Sequence, residues 1–332
     1  MGKWPIPAGV ARCLAVLRQA GQAAHPVGGC VRDLLLGRTP GDYDVCTSAR
    51  PEQVMALFEH AIPTGIQHGT VTVLTEDGPV EVTTFRREGG YADGRHPDAV
   101  TFDVGLTEDL ARRDFTINAM ALRADGAVID RFGGQEDLKA GLIRCVGEPD
   151  RRFAEDALRM LRAVRFAAQL GFAIESETEQ AIRRNAGRLS QVSGERIKAE
   201  LEKTLLSPHP ERAGDLIRWG LLTHLWPVTD CPNLDKLRSV SPEPIPRWRA
   251  FCEETGFPLE KLPVERALRR GVRHPEEEVL HRLALSGGEL AAMGLQGREI
   301  GAAQRRLALH VLAHPEDNRR EKLLELLKTI PK

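Results

Sequence analysis

The chain has 332 residues, with 46 Lys and Arg against 47 Asp and Glu, a formal net charge of −1 and 42% hydrophobic residues. That apolar content excludes a disordered chain, and the length argues against a single compact core. Near-neutral charge argues against blanket binding to nucleic acid or membrane, and 5% aromatics leave little for a base-stacking surface.

In chain order, residues 7–22 predict an amphipathic helix, with Val10, Leu14, Leu17 and Ala20 near helical spacing. The apolar stretch Ala23 to Val27 runs into Gly28-Gly29, and a helix is expected from Val31 to Leu36. Asp42-Tyr43-Asp44-Val45 reads as a short alternating strand, and Pro51 to Phe58 as a helix with Pro in its first turn. Alternating β-branched residues at Gly69–Leu74 and Val80–Phe85, around Glu76-Asp77-Gly78, predict a hairpin. Residues 86–98 are expected to be a loop, Ala99–Phe102 a strand, Asp109–Leu122 a helix and Ala127–Asp130 a strand. Beyond about residue 140 the strand signal fades. Helical periodicity covers Arg151–Leu170, Ser176–Ala186, Gly194–Leu205, Pro210–Leu221 and Ile300–Val311. The expected class is therefore α+β, a head with a mixed sheet followed by an all-helical remainder.

Four clusters suggest chemistry. Gly28-Gly29-Cys30-Val31-Arg32-Asp33 places adjacent glycines where backbone N–H groups can approach an anion, either for that purpose or simply as a turn. Asp42-x-Asp44 puts two carboxylates on one face of a strand, either as a cation-binding pair or as a solvent-facing polar strand edge. They repel unless a cation lies between them, and hard oxygen donors suit Mg²⁺. A phosphate-suited turn about ten residues before such a pair fits a nucleoside triphosphate site. Glu81 is either a third carboxylate of that group or an exposed strand glutamate. Arg112-Arg113-Asp114-Phe115-Thr116-Ile117-Asn118 opens the expected helix with two cations, which the helix dipole disfavours unless a phosphate sits there. Arg113 reads as that phosphate ligand or as a surface ion pair.

In the fourth cluster, Asp156, Arg159, Arg162 and Arg165 recur every three residues along one expected helix face. One such pair is ordinary i,i+3 support, but three arginines exceed that need. Cytosine and adenine both present an exocyclic amine beside a ring-nitrogen acceptor, which Asp156 and Arg159 match. Uracil and guanine present a carbonyl and an N–H there, and each mismatch is costly in a desolvated pocket.

Together these motifs closely resemble the class II CCA-adding tRNA nucleotidyltransferases of the DNA polymerase β superfamily. Gly28-Gly29-x-Val31-Arg32-Asp33 through Asp42-x-Asp44 resembles that family's motif A, and Arg112 to Ala119 its motif B. Asp130, Gly133-Gly134 and Asp137-Leu138 resemble motif C, and Glu155-Asp156-x-x-Arg159 motif D. Ser193 to Ile197 through Glu200-Leu201 resembles motif E. The resemblance implies catalysis by Asp42 and Asp44, with Mg²⁺ as their metal. It also implies nucleotide contacts from Gly29, Arg32, Arg113, Asp156, Arg159, Arg162 and Arg165. It implies a nucleotidyltransferase head at 1–140, a neck at 141–205, a body at 206–265 and a tRNA-binding tail at 266–332. The implied reaction is template-independent addition of CCA to tRNA from CTP and ATP. Relatives that add only A, and bacterial poly(A) polymerases, share the motifs. The full loop Arg87-x-x-x-Tyr91-x-Asp93-x-Arg95-x-Pro97 argues against a CC-only enzyme, and Thr64 to Thr70 against a poly(A) polymerase.

Charge divides along the same lines. Residues 1–143 carry 14 basic and 19 acidic residues, and 144–332 carry 32 and 28. An acidic metal-binding front and a basic rear facing tRNA are expected, with Arg183, Arg184, Arg188, Arg269, Arg270, Arg305 and Arg306 as candidate contacts. Six scattered cysteines read as buried reduced thiols. No targeting or membrane-spanning stretch stands out, so a cytoplasmic protein is expected. Relatives are usually longer, which leads us to expect a trimmed body or tail.

Overall fold

The computed structural model describes residues 4–89 and 99–329. The chain divides into two compact units, Met1–Arg238 and Ser239–Lys332.

The first unit begins with α1 (Ala8–Gln19), β1 (Ala24–Val27), α2 (Gly29–Leu35), β2 (Asp44–Thr47) and α3 (Pro51–Leu57). There follow β3 (Ala61–Gly65), the hairpin β4 (Thr70–Thr75) and β5 (Gly78–Thr84), and a second antiparallel pair, β6 (Arg87–Gly89) and β7 (Ala99–Thr101). Next come α4 (Leu106–Ala111), β8 (Met120–Leu122) and β9 (Val128–Asp130). Seven strands form one sheet in the order β3-β4-β5-β2-β1-β8-β9. It is mixed, because β2 and β5 run parallel while its other neighbours are antiparallel. Val27, Cys46, Phe85, Leu110 and Ala121 close its core, with Val104, Leu106, Ile129 and Phe132 packed against them.

The helical part of this unit comprises α5 (Gly134–Ala140), α6 (Pro149–Glu155), α7 (Leu158–Leu170), α8 (Ser176–Asn185), α9 (Gly194–Leu205) and α10 (Ala213–Arg218). It is not wholly helical. The remainder is mostly helical, in keeping with the expected α+β class, and a short parallel pair, β10 (Leu142–Ile143) and β11 (Ala173–Ile174), is an exception to an all-helical reading.

Three further expectations are corrected. The helix expected over Asp109–Leu122 ends at Ala111, and Met120–Leu122 instead enters the central sheet. Every residue from Asp114 to Leu122 is buried, which suits a strand covered on both faces rather than an amphipathic helix. The helix expected over Arg151–Leu170 breaks at Asp156, which is extended at φ −147°, ψ 106° and accepts a hydrogen bond from the Leu158 N–H. Arg87–Gly89, expected within a loop, pairs with Ala99–Thr101. Tyr91, Asp93, Arg95 and Pro97 lie outside the described residues.

The second unit contains α11 (Pro244–Thr255), α12 (Arg266–Arg273), α13 (Glu276–Leu280), α14 (Gly287–Ala292), α15 (Arg298–Ala313) and α16 (Arg320–Thr329). Leu285, Leu290, Ala303, Leu307, Val311 and Leu323 form its buried core. α11 and α12 flank a cavity of about 560 Å³ lined by Ile245, Arg266, Ala267, Arg270, Gly271, His274 and Glu277. No helix among the described residues is long and apolar enough to cross a membrane. Cys13, Cys30, Cys46 and Cys145 are buried free thiols, as expected, while Cys231 and Cys252 are half-buried.

Candidate functional site

Asp44 opens β2, and its parallel register sets it directly beside Glu81 on β5. Asp42, expected on the same strand, lies just before it and is exposed. Burial pushes the Asp44 carboxyl up to about 6; Arg113 opposes the shift, and the charges of Asp42 and Glu81 add to it. A half-buried carboxylate facing two others favours a cation, and three oxygen-bearing side chains suit a hard divalent one. No three His, Cys, Asp or Glu side chains are gathered tightly enough to cage a metal among the described residues. Asp42 and Glu81 both act on Asp44 through their charge.

Gly28 links β1 to α2 at φ 81°, ψ −129°, a conformation that a side chain resists. The space above it is also taken, because a Cβ there would lie 2.7 Å from Arg113 Nη1. Gly29 follows at the start of α2. Arg113 stands just past the C-terminal end of α4, where Arg112 is the capping residue. Both cations therefore sit at the favourable pole of a helix, the reverse of the expected placement. Arg112 pairs with the buried Asp109 at 2.8 Å, while the Arg113–Asp109 pair is long at 3.6 Å. The Arg113 Nε is buried without a hydrogen-bond partner, so its guanidinium is poorly satisfied within the protein.

Asp114 is a buried hub. Its Oδ2 accepts from Arg162 Nε at 2.7 Å, with Arg162 Nη2 at 2.6 Å. Its Oδ1 accepts from the Phe115 N–H at 2.9 Å and Asn118 Nδ2 at 3.2 Å. Burial works to raise this carboxyl, but Arg162, Asn118 and Arg159 together hold it well below the carboxylate range. Asn118 Oδ1 in turn accepts from Arg32 Nη1 at 2.8 Å, which ties α2 to α7. Arg32, Arg162 and Arg165 all lie over the Phe166 ring, at 5.2, 5.2 and 4.2 Å from its centroid.

Beside this hub is a polar cavity of about 280 Å³ lined by Arg112, Arg113, Asp114, Asp156, Leu158, Arg159, Arg162 and Arg196. Four of the expected nucleotide contacts, Arg113, Asp156, Arg159 and Arg162, meet there. Three do not line it: Gly29 lies at the start of α2, Arg32 reaches Asp114 through Asn118, and Arg165 forms a 2.9 Å ion pair with the buried Glu200. Arg159 is heavily engaged, donating to Glu155 Oε2 at 2.7 Å and to the carbonyls of Arg152 and Arg112. Arg196 was not among the expected contacts. It comes from α9 and pairs with Asp156 at 2.9 Å, a link across 40 residues that no local spacing announces.

Residues 24–144 match the family model of the poly A polymerase head domain. Residues 171–231 match one described as a probable RNA and SrmB-binding site of polymerase A. Over 228 residues the chain is 50% identical to a CCA-adding enzyme of Limosilactobacillus reuteri, covering 68% of this chain and 55% of that enzyme. Over 254 residues it is 47% identical to a CCA-adding enzyme of Anoxybacillus flavithermus, covering 75% and 64%. The chain thus spans little more than half the length of these curated relatives. The fold is similar to the crystal structure of the Bacillus stearothermophilus CCA-adding enzyme in complex with CTP. The TM-score is 0.72 at 35% identity, over 97% of this chain and 78% of that one.

Proposed function

The chain belongs to the family of class II CCA-adding enzymes, and from that premise we propose that it adds C, C and A to the 3′ end of tRNA. CTP and ATP are the substrates, pyrophosphate is the leaving group, and no nucleic-acid template is used. The observation that carries this reading is Arg113, which stands over the Gly28 turn, acts on the charge of Asp44 and lines the Asp156 cavity. One guanidinium thus connects a carboxylate pair with a base-sized pocket, as a bound triphosphate requires.

Asp42 and Asp44 would hold Mg²⁺, since burial and the like charges of Asp42 and Glu81 all disfavour the ionised Asp44 carboxyl, and a bound cation offsets that penalty. When bound there, the metal supplies Lewis-acid charge for in-line attack of the tRNA 3′-OH on the α-phosphate. The poorly satisfied Arg113 guanidinium takes phosphate oxygens, and the Gly28 turn leaves room for it. Asp156 accepts from the exocyclic amine of cytosine or adenine, and Arg159 donates to the ring nitrogen beside it. Uracil and guanine reverse both partners and are rejected. Asp114 holds Arg162 at the pocket wall, and through Asn118 it steadies Arg32.

We assign residues 1–140 to the nucleotidyltransferase head, 141–205 to the neck, 206–265 to the body and 266–332 to a tRNA-binding tail. The setting is cytoplasmic, where tRNA and both nucleotides are available. Labelled CTP and ATP offered with tRNAs ending at the discriminator base, at C and at CC test the reading. CCA addition extends all three, and Asp44→Ala abolishes each extension. Extension of the CC end alone by ATP would make it an A-adding enzyme, and long A tails a poly(A) polymerase.

A further inference from the structure

Asp156 lies in the extended break between α6 and α7, so no helix fixes its side-chain direction. Two donors do. The Leu158 N–H donates to Oδ1 at 3.0 Å, and Arg196, in the first turn of α9, straddles the carboxylate with Nη2 on Oδ2 at 2.9 Å and Nη1 on Oδ1 at 3.4 Å. A carboxylate offers about four acceptor positions, two on each oxygen. Both on Oδ1 are therefore occupied and one on Oδ2 is left. Asp156 and Arg196 are 20% and 23% exposed and line the same cavity, so the remaining position is open to a ligand. Arg159 is a poor substitute for this clamp, because its guanidinium is held by Glu155 and by the carbonyls of Arg152 and Arg112.

We propose that Arg196 is a positioning residue for base selection, turning Asp156 so that a single acceptor position on Oδ2 meets the exocyclic amine of cytosine or adenine. The inference rests on the nucleotide-selecting role of Asp156 proposed above. A carbonyl at the same place, as in uracil, faces an acceptor that cannot rotate away. Loosening the carboxylate costs CTP its aligned hydrogen bond and leaves UTP, which never had one, unaffected. A brace that served only to hold α9 would affect both nucleotides alike.

The test is equilibrium binding of CTP and UTP by calorimetry to the wild-type chain, Arg196→Met and Arg196→Lys. Each melting temperature is recorded, and CTP incorporation into tRNA is measured in parallel. Arg196→Met is expected to weaken CTP about tenfold, the scale of one charge-assisted hydrogen bond, with UTP binding unchanged. Arg196→Lys should fall between, since one ammonium replaces a two-pronged fork. Unchanged CTP binding, or equal weakening of CTP and UTP, overturns the assignment. If Arg196→Met does not fold, Arg196→Lys decides: a reduced CTP preference supports the role and a wild-type preference overturns it. A wild-type chain that binds CTP selectively without incorporating it removes the transfer reaction, leaving Arg196 to be judged on binding. A wild-type chain that binds CTP and UTP alike overturns the role of Arg196.

Discussion

Asp114 carries four donor contacts inside the protein, from Arg162 twice, Asn118 and the Phe115 N–H. Removing its charge in Asp114→Asn should destabilise the chain by about 2 kcal/mol at pH 7, below the full cost of breaking a buried pair because Arg162 still reaches solvent. The pH dependence has a definite sign. The folded carboxyl titrates below an unfolded one, so its contribution is full above about pH 4 and is lost as pH falls further. Urea unfolding of wild type and variant should therefore differ at pH 7 and converge toward pH 2. A constant difference across that range would show that charge is not what Asp114 contributes. Asp42, Asp44 and Asp156 could be singled out from the sequence as candidates because the patterns that mark them are local. The four contacts on Asp114 and the clamp of Arg196 on Asp156 are tertiary, and spacing is silent about them.

Among the elements, the segment after α4 shows what periodicity misses. Phe115, Ile117, Ala119 and Met120 are fully buried, and a run with no exposed face carries neither a helical nor a strand stripe. Its placement comes from α5 instead. Asp130 accepts from the N–H groups of Phe132, Gly134 and Gln135, which starts α5, and Asp137 then accepts from Thr116 Oγ1 at 2.6 Å. The approach is so close that a Cβ on Gly134 would lie 2.3 Å from the Thr116 carbonyl oxygen and 3.0 Å from Met120. Gly134→Ala should accordingly cost about 1–3 kcal/mol by urea unfolding, because a backbone carbonyl must give way rather than a flexible side chain. It should also raise the KM for CTP, since Asn118 and Arg113 flank the displaced turn. A variant as stable as wild type would mean that α5 can shift freely, and the link from α5 to the pocket would be lost. The hairpin β4–β5 was readable because both strands are rich in β-branched residues and β5 alternates buried Val80, Val82 and Thr84 with exposed Pro79 and Glu81.

For the whole molecule, a net charge of −1 describes neither half of the chain. The acidic excess of the front includes Asp42, Asp44 and Glu81, whose mutual repulsion a bound cation would relieve. Toward the rear, α12 buries Leu268 and leaves Arg266, Arg270 and Arg273 exposed, with the Arg270 side chain 65% accessible although paired with Glu277. Sequence alone singled out Arg269 and Arg270 here but could not say which arginines would share a cavity, because that depends on α11 packing Ile245 against Gly271. If this face receives tRNA phosphates, two effects must appear together. Arg266→Glu with Arg270→Glu should weaken tRNA binding at low salt by about tenfold or more, and the slope of log affinity against log salt should fall by about two, one for each lost phosphate contact. CTP binding should stay at its wild-type value, because the cavity proposed for the base is lined by Arg112, Arg113, Asp114, Asp156, Leu158, Arg159, Arg162 and Arg196, all residues of the other unit. Filter binding of tRNA between about 50 and 200 mM salt measures both quantities. Weaker binding at an unchanged slope would mean that the variant had disturbed the helix rather than removed charge contacts, and an unchanged affinity would move the tRNA surface elsewhere.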